Sequence, residues 1–278
     1  WRGRMARIGL PQRREQKLMH ILVSNDDGVM APGIIALARA MLPLGRVTVA
    51  APSDNQSATG HRKTMHKPLR VKRVKFPVEG VTAYSTSGSP SDSVAVALLG
   101  YIDEPIDLVV SGINRGPNQG QDLTYSGTVS AAFEAVIWRK PAIAFSLCDH
   151  SDDAEYDASA SIARQIVQMN LYERLPPLTL LNVNIPPLPL KDIRGFKITR
   201  QGLRQYNDEL VEREDPSGRP YYWIGGGMPS GNVTEEGTDL WATDQGYVSI
   251  TPIHLDMTAY AVMQEMEEWG LAEVMPEA

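Results

Sequence analysis

Cysteine, long apolar runs and excess positive charge are all scarce in this sequence of 278 residues, and each scarcity excludes a class of protein. Cys148 is the single cysteine, so an intrachain disulfide framework is excluded. One thiol suits a reducing compartment, and we expect a cytoplasmic protein, although a disulfide-free periplasmic protein would have the same composition. No apolar stretch approaches the roughly 20 residues that cross a bilayer, so no membrane partner is expected. The formal net charge of -6 provides no basic field for duplex nucleic acid.

Positive charge is concentrated at the start of the chain. Residues 1–18 lack apolar periodicity, so we expect a disordered basic extension that precedes a single α/β domain over residues 19–278. A basic tail of this kind could contact nucleic acid or anionic lipid, and an addition upstream of a start at Met19 is the other interpretation. Its cationic residues are Arg2, Arg4, Arg7, Arg13, Arg14 and Lys17.

From Met19 onward, short aliphatic runs alternate with segments of helical periodicity. The alternation predicts βαβ units and a mostly parallel sheet. The predicted strands are His20 to Val23, Val47 to Ala51, Leu108 to Ser111, Ala142 to Ser146 and Leu178 to Asn184. The predicted helices are Gly33 to Leu42, Ser91 to Leu99, Ser130 to Trp138 and Asp157 to Met169.

The last third of the chain has a different texture. Residues 196–246 are rich in glycine and aromatic residues and predict a hairpin arm with a turn at Pro216 to Gly218. A long two-stranded hairpin is barely stable alone, so we expect it to pack on a second subunit in a homodimer or homotetramer. Residues 254–271 are predicted to contain a C-terminal helix.

Asp26 and Asp27 stand directly after the first predicted strand and before Gly28. Ligands of open α/β sheets bind at the carboxyl ends of the strands, and adjacent carboxylates there can share one hard cation. The alternative is a solvated turn or helix cap, because the Asp side chain also favours turns by forming hydrogen bonds with the nearby backbone. The loops after the next strands, 52–57 and 112–120, should converge on the same edge and add hydroxyl and amide oxygens. Such a donor set suits Mg²⁺ or Mn²⁺ better than zinc.

The segment from Tyr125 to Ser130 precedes an alanine-rich helix. Free amides at a helix start favour an anion such as phosphate, and a plain helix cap is the alternative. Neither a dinucleotide fingerprint nor a Walker loop is present. His61 could protonate a leaving group, but it is more simply a solvated loop histidine, and Cys148 is more simply an inert thiol than a nucleophile.

Together these motifs resemble the SurE (survival protein E) family of nucleotidases over Met19 to about Leu271. They include Ser24-Asn25-Asp26-Asp27-Gly28, Ser111-Gly112-Ile113-Asn114, Tyr125-Ser126-Gly127-Thr128-Val129, Gly88-Ser89-Pro90-Ser91-Asp92 and Gly246-Tyr247-Val248-Ser249-Ile250-Thr251-Pro252. The resemblance implies a Rossmann-like three-layer α/β/α core and hydrolysis of nucleoside 5'- and 3'-monophosphates, with polyphosphate as a side substrate in some members. It also implies a dimer in which arms are exchanged.

The resemblance further implies one divalent metal ion, Mg²⁺ or Mn²⁺, per subunit. The implied ligands are Asp26, Asp27, Ser57 and Asn114, and the implied phosphate or substrate contacts are Asn118, Ser126, Gly127 and Thr128. Asp26 or Asp27 would orient or deprotonate the attacking water, and a covalent phosphoaspartate is the alternative. Two rival functions stay open. One is a non-catalytic nucleotide-binding or assembly protein, and the other is a metal-dependent glycosyltransferase, whose usual Asp-x-Asp spacing is absent.

Overall fold

The computed structural model describes residues 18–226 and 230–269, and its first half forms strand and helix in alternation. The basic extension therefore lies outside the described residues except for Leu18. The elements up to the sixth strand are β1 (Met19–Ser24), α1 (Pro32–Met41), β2 (Gly45–Pro52), β3 (Val71–Val74), β4 (Thr82–Thr86), α2 (Pro90–Val96), β5 (Leu108–Arg115), α3 (Gly127–Ile137) and β6 (Ala142–Leu147).

The second half completes the main sheet and adds a hairpin. Its elements are α4 (Asp157–Gln168), β7 (Thr179–Ile185), β8 (Phe196–Ile198), β9 (Arg204–Gln205), β10 (Asp208–Glu214), β11 (Pro220–Gly226), β12 (Ser230–Gly231), α5 (Asp239–Asp244), β13 (Val248–His254) and α6 (Tyr260–Glu268). No helix among the described residues is long and apolar enough to cross a membrane.

One nine-stranded sheet organises the fold, in the order β3-β4-β2-β1-β5-β6-β7-β13-β8. The strands from β4 to β7 pair in parallel, whereas β3 and β13 pair antiparallel to β4 and β7. Alternate residues of β1 enter different cores: Val23 packs with α1 and α4 on one face, and Leu22 packs with α2 and α3 on the other. Both faces are thus covered by helices, so the predicted α/β class and three-layer core are confirmed.

The segment 196–246 is only partly a hairpin. β10 and β11 pair from Asp208↔Gly226 to Glu214↔Pro220, with the turn at the predicted position. However, β8 pairs in parallel with β13 at the edge of the main sheet, so residues 196–198 belong to the core fold. Asp239 is also integrated, because its carboxylate accepts the amides of Gly120 and Gly202 at 2.8 and 2.7 Å.

The C-terminal helix starts later than residue 254. Strand β13 continues through His254, and α6 begins at Tyr260. No residue of α6 is buried within the single chain, and Met257, Tyr260 and Trp269 are largely exposed. The segment after Trp269 lies outside the described residues.

Candidate active site

Three segments that are distant in sequence meet at the carboxyl edge of the sheet. β1 lies between β2 and β5, so the chain order reverses beside β1, which is where open α/β sheets form their ligand crevice. Asp26 and Asp27 follow β1, Asn114 lies near the end of β5, and α3 begins at Gly127. The convergence that we expected from the sequence is therefore present.

Asp26 is held by the first turn of α3. Its side chain is buried, and its Oδ1 accepts a hydrogen bond from Thr128 Oγ1 at 2.5 Å. Burial raises the pKa of Asp26 to about 6, the charge of Asp27 adds to the rise, and the side-chain and backbone hydrogen bonds of Thr128 oppose it. The carboxylate therefore faces the positive end of a helix, where an anion is favoured.

Gly127 makes this close approach possible. A Cβ added there would lie 2.6 Å from Asp26 Cβ and 3.0 Å from Pro90 Cγ. Real Cβ atoms do not come so near to such neighbours, so any side chain at position 127 would displace Asp26 or the start of α2. Glycine is required here by the packing of the carboxylate against the helix.

Asp27 is more accessible than Asp26 and has a basic neighbour. Its Oδ2 accepts a hydrogen bond from the backbone amide of Arg115 at 3.3 Å. Burial raises the pKa of Asp27, whereas the amide and the charge of Arg115 act in the opposite direction. The guanidinium of Arg115 pairs with Asp152, which is exposed. This places one cationic group at the rim of the site.

Asn114 turns its amide oxygen toward Thr128. Asn114 Nδ2 donates to the carbonyl of Gly116 at 2.8 Å, and Thr128 Oγ1 lies 3.5 Å from Asn114 Oδ1. Ser57 is exposed in the loop after β2, next to Gln56, whose amide donates to the carbonyl of Asp26 at 2.7 Å. The two non-carboxylate ligands expected from the family resemblance thus belong to segments that adjoin Asp26.

The remaining two expected substrate contacts have other partners. Ser126 is the N-cap of α3, because its Oγ accepts the amide of Val129 at 3.1 Å, which is the cap interpretation of the sequence. Asn118 lies deeper, where its Nδ2 donates to Ser146 Oγ and its carbonyl accepts from Asn182 and Asn184. These contacts join Asn118 to β6 and β7 rather than to Asp26.

The donor set fits a hard divalent cation. Among residues 18–226 and 230–269 no group of three or more His, Cys, Asp or Glu side chains is arranged so that it could hold a metal ion, so a cation here would need hydroxyl and amide oxygens beside the two carboxylates. Magnesium and manganese accept such oxygen ligands. Asp26 is buried, the adjacent Asp27 is partly buried, and both have raised pKa values, so a nearby cation would favour their charged forms.

Two further carboxylates were given no role from the sequence, although Asp92 stands in one of the family motifs. Asp92 on α2 and Glu134 on α3 are both buried, and both accept hydrogen bonds from the loop that carries Ser57. Their sequence neighbourhoods look like an ordinary helix cap and an ordinary helix interior, so only the long-range contacts single them out. His61 is an exposed loop histidine, as predicted, and its Nε2 also hydrogen-bonds Glu134. Burial raises the pKa of Cys148 to about 12, as expected for an inert thiol.

Comparison with known proteins agrees with this architecture. The family model described as "Survival protein SurE" matches residues 21–208. The chain is 47% identical to the 5'-nucleotidase SurE of Geobacter sulfurreducens over 94% of this chain and 97% of the relative. It is 44% identical to that of Chloroflexus aggregans over 90% and 99%. The crystal structure of the SurE protein from Aquifex aeolicus superposes with a TM-score of 0.75 at 41% identity, covering 90% of this chain and 99% of that one. The chain belongs to the SurE family.

Proposed function

We propose that this protein is a metal-dependent phosphomonoesterase that hydrolyses nucleoside 5'- and 3'-monophosphates to nucleoside and phosphate. Membership of a family whose relatives are named 5'-nucleotidase supports a nucleotidase enzyme. Hydrolysis at the 3' position and an exopolyphosphatase side activity are extensions of the proposal that rest on the family resemblance alone. The observation that carries the proposal is a buried carboxylate, Asp26, held at the N-terminus of α3 next to a second carboxylate, Asp27.

The arrangement can do two things to a phosphate ester. The positive N-terminal end of α3 would stabilise negative charge on the phosphoryl oxygens, and this stabilisation grows as charge shifts in the transition state. Asp27, which is less enclosed than Asp26, would orient or deprotonate the attacking water. Asp26 would be kept in one rotamer by Thr128, so its position does not have to be organised during the reaction.

The divalent cation of this proposal would be Mg²⁺ or Mn²⁺, held by Asp26, Asp27, Ser57 and Asn114. When bound, it would supply Lewis-acid charge to the phosphate and favour ionisation of the attacking water. The four residues come from three segments of the chain, so their geometry depends on how those segments are fixed to one another.

Attack on the phosphate by Asp26 or Asp27 itself is the alternative to attack by water. Solvent ¹⁸O entering phosphate in a single turnover, with no phosphorylated enzyme trapped, would support water as the nucleophile.

The direct test is phosphate release from a panel of nucleoside 5'- and 3'-monophosphates in the presence of Mn²⁺, Mg²⁺ or EDTA. We expect release with metal and none with EDTA. Asp26→Asn and Asp27→Asn keep the side-chain shape but remove a charge that a hard cation needs, so each should lower turnover by orders of magnitude with an unchanged circular dichroism spectrum. Near-normal turnover of either variant at saturating Mn²⁺ would contradict the assignment of that residue. Binding of nucleotides without phosphate release would instead favour a non-catalytic nucleotide-binding protein.

A further inference from the structure

The loop over residues 53–70, which connects β2 to β3, carries Ser57, the candidate metal ligand that follows Gln56. The loop has 18 residues, so its attachment to the strand at one end would not by itself fix the position of the residues in its middle. Backbone contacts hold it at two points near Ser57. The amide of Gln56 donates to the Asp26 carbonyl at 2.7 Å, and the amide of Gly60 donates to the Tyr125 carbonyl at 2.9 Å. Ser57 therefore lies in a short span between β1 and the start of α3.

Beyond Gly60, the loop is tied to α3 by Glu134. The Glu134 side chain is only 1% exposed, yet it accepts hydrogen bonds from Lys63 Nζ at 2.5 Å and from His61 Nε2 at 3.1 Å. The ring of His61 also stacks on Phe133, with centroids 6.1 Å apart. A buried carboxylate whose cationic partner comes from the loop would be left with an unfavourable charge if the loop moved away.

On its other side, the loop is tied to the N-terminus of α2 by Asp92. Asp92 Oδ1 accepts the amide of Thr64 at 2.9 Å, and Oδ2 accepts the hydroxyl of the same residue at 2.6 Å. Ser89 Oγ donates to the Arg62 carbonyl at 2.6 Å. Consecutive loop residues, Lys63 and Thr64, are therefore held by carboxylates on two different helices.

We propose that Glu134 and Asp92 are positioning residues, which fix the 53–70 loop between α3 and α2 and thereby hold Ser57 at the metal site. The inference rests on the proposed function for the role of Ser57, but the anchoring of the loop can be measured without it. Neither carboxylate touches the reacting atoms. Each carboxylate acts through the loop and so affects the geometry of Ser57. Asn114 lies in β5, and Asp26 and Asp27 lie in the turn after β1, whereas Ser57 lies within the long loop.

The experiment alters the loop side of both contacts, so that the helices keep their carboxylates. The double variant Lys63→Met/Thr64→Val removes the cation bound by Glu134 and the hydroxyl bound by Asp92. The control is Trp138→Phe, which removes the hydrogen bond that Trp138 Nε1 donates to Glu134 Oε1 at 2.8 Å from the C-cap of α3. Phenylalanine keeps an aromatic ring beside Lys63, whose Nζ lies 5.9 Å from the centroid of the Trp138 ring, so the loop side of the contact is preserved. A second variant, Lys63→Arg/Thr64→Ser, restores a cation and a hydroxyl and should rescue the effect.

Two readouts separate positioning from general stability. Hydrogen exchange of the Gln56 and Gly60 amides should become markedly faster in the double variant, and the Mn²⁺ dissociation constant from calorimetry should rise by about 10- to 100-fold, as for other residues that orient metal ligands. The control and the rescue variant should match the unaltered protein in both. Unchanged exchange, faster exchange with unchanged Mn²⁺ affinity, or an equal effect of Trp138→Phe would each overturn the inference. If the unaltered protein bound no Mn²⁺, the metal site of the proposed function would be refuted, and with it the role of the loop in positioning Ser57 for that metal. Hydrogen exchange of the Gln56 and Gly60 amides would still decide whether Glu134 and Asp92 anchor the loop.

Discussion

The Thr128 hydroxyl is the side-chain group by which α3 holds Asp26, and its removal tests the arrangement of the candidate site. Thr128→Val preserves the branched shape of a fully buried side chain but deletes the oxygen that lies 2.5 Å from Asp26 Oδ1. A hydrogen bond to a charged group contributes about 1.5 to 3 kcal/mol. At about 1.4 kcal/mol for each factor of ten, kcat/KM for a nucleoside 5'-monophosphate should fall about 10- to 150-fold.

The matched control is Thr128→Ser, which keeps the hydroxyl and removes only a methyl group. Phosphate release at saturating Mn²⁺ should be close to that of the unaltered protein for Ser and strongly reduced for Val, with similar thermal midpoints for both. Equal losses in the two variants would assign the effect to packing rather than to the hydrogen bond. A Val variant with unaltered kcat/KM would refute the argument that Thr128 organises Asp26.

Three further outcomes are expected. Gly127→Ala adds a Cβ 2.6 Å from Asp26 Cβ, so Asp26 must shift. Because a misplacement of about 1 Å can lower a rate about 100-fold, kcat/KM should drop on that scale without loss of helix content. Full activity of this variant would contradict the close packing of Asp26 against α3. The pKa of Glu134 is lowered to about 2 from 4.5, because hydrogen bonds from His61, Lys63 and Trp138 outweigh the opposing effect of burial. Glu134→Gln should therefore cost about 3 kcal/mol of unfolding free energy at pH 7. A carboxyl group whose pKa is lowered in the folded state stabilises the fold at pH values above its unfolded-state pKa. The difference in unfolding free energy between Glu134→Gln and the unaltered protein, measured by urea melts, should therefore shrink as the pH falls from 4.5 toward 2. A difference that stays constant from pH 7 to 3 would count against this stabilising role of Glu134. Finally, the intact chain should scatter light as a dimer or tetramer at micromolar concentration, because Leu210, Trp223 and Ile224 are 60 to 81% exposed in the single chain. Replacement of the hairpin between Asp208 and Gly226 by a Gly-Ser turn should yield a monomer or an aggregate. A well-behaved monomer of the intact chain would rule out this role of the hairpin.

Sequence reasoning succeeded where local pattern and global topology agree. The runs around Ile21, Val49 and Val110 are aliphatic because both faces of the sheet are covered, and each became a central parallel strand. Polar residues that follow such strands must lie at one edge, so the proximity of Asp26, Asn114 and the start of α3 could be anticipated without coordinates. That inference used only strand direction, which the alternation of strands and helices determines.

The failures have a different physical origin. The glycine and aromatic content of residues 196–246 predicts a hairpin arm, yet residues 196–198 pair in parallel with residues 248–250 at the sheet edge. Pro252 within β13 weakens the strand signal, since proline cannot donate to a ladder. A Cβ at Gly112 would lie 2.2 Å from the carbonyl oxygen of Phe145, so this glycine serves strand packing, which the residues around it do not indicate. In each case the deciding neighbour is distant in sequence.

The same distinction divides the candidate site into two parts of different rigidity. Asp26, Asn114 and Thr128 are fixed by the strands and the helix from which they project, and their positions follow from core packing. Ser57 depends on a loop whose placement rests on long-range polar contacts at Lys63 and Thr64. Polar contacts at a partly exposed loop open more readily than a packed core. Loss of the carboxylate charge of Asp26 should therefore lower turnover by orders of magnitude, whereas changes in the anchors of the loop should weaken metal binding in a graded way. This difference in response separates a ligand from the residues that position one.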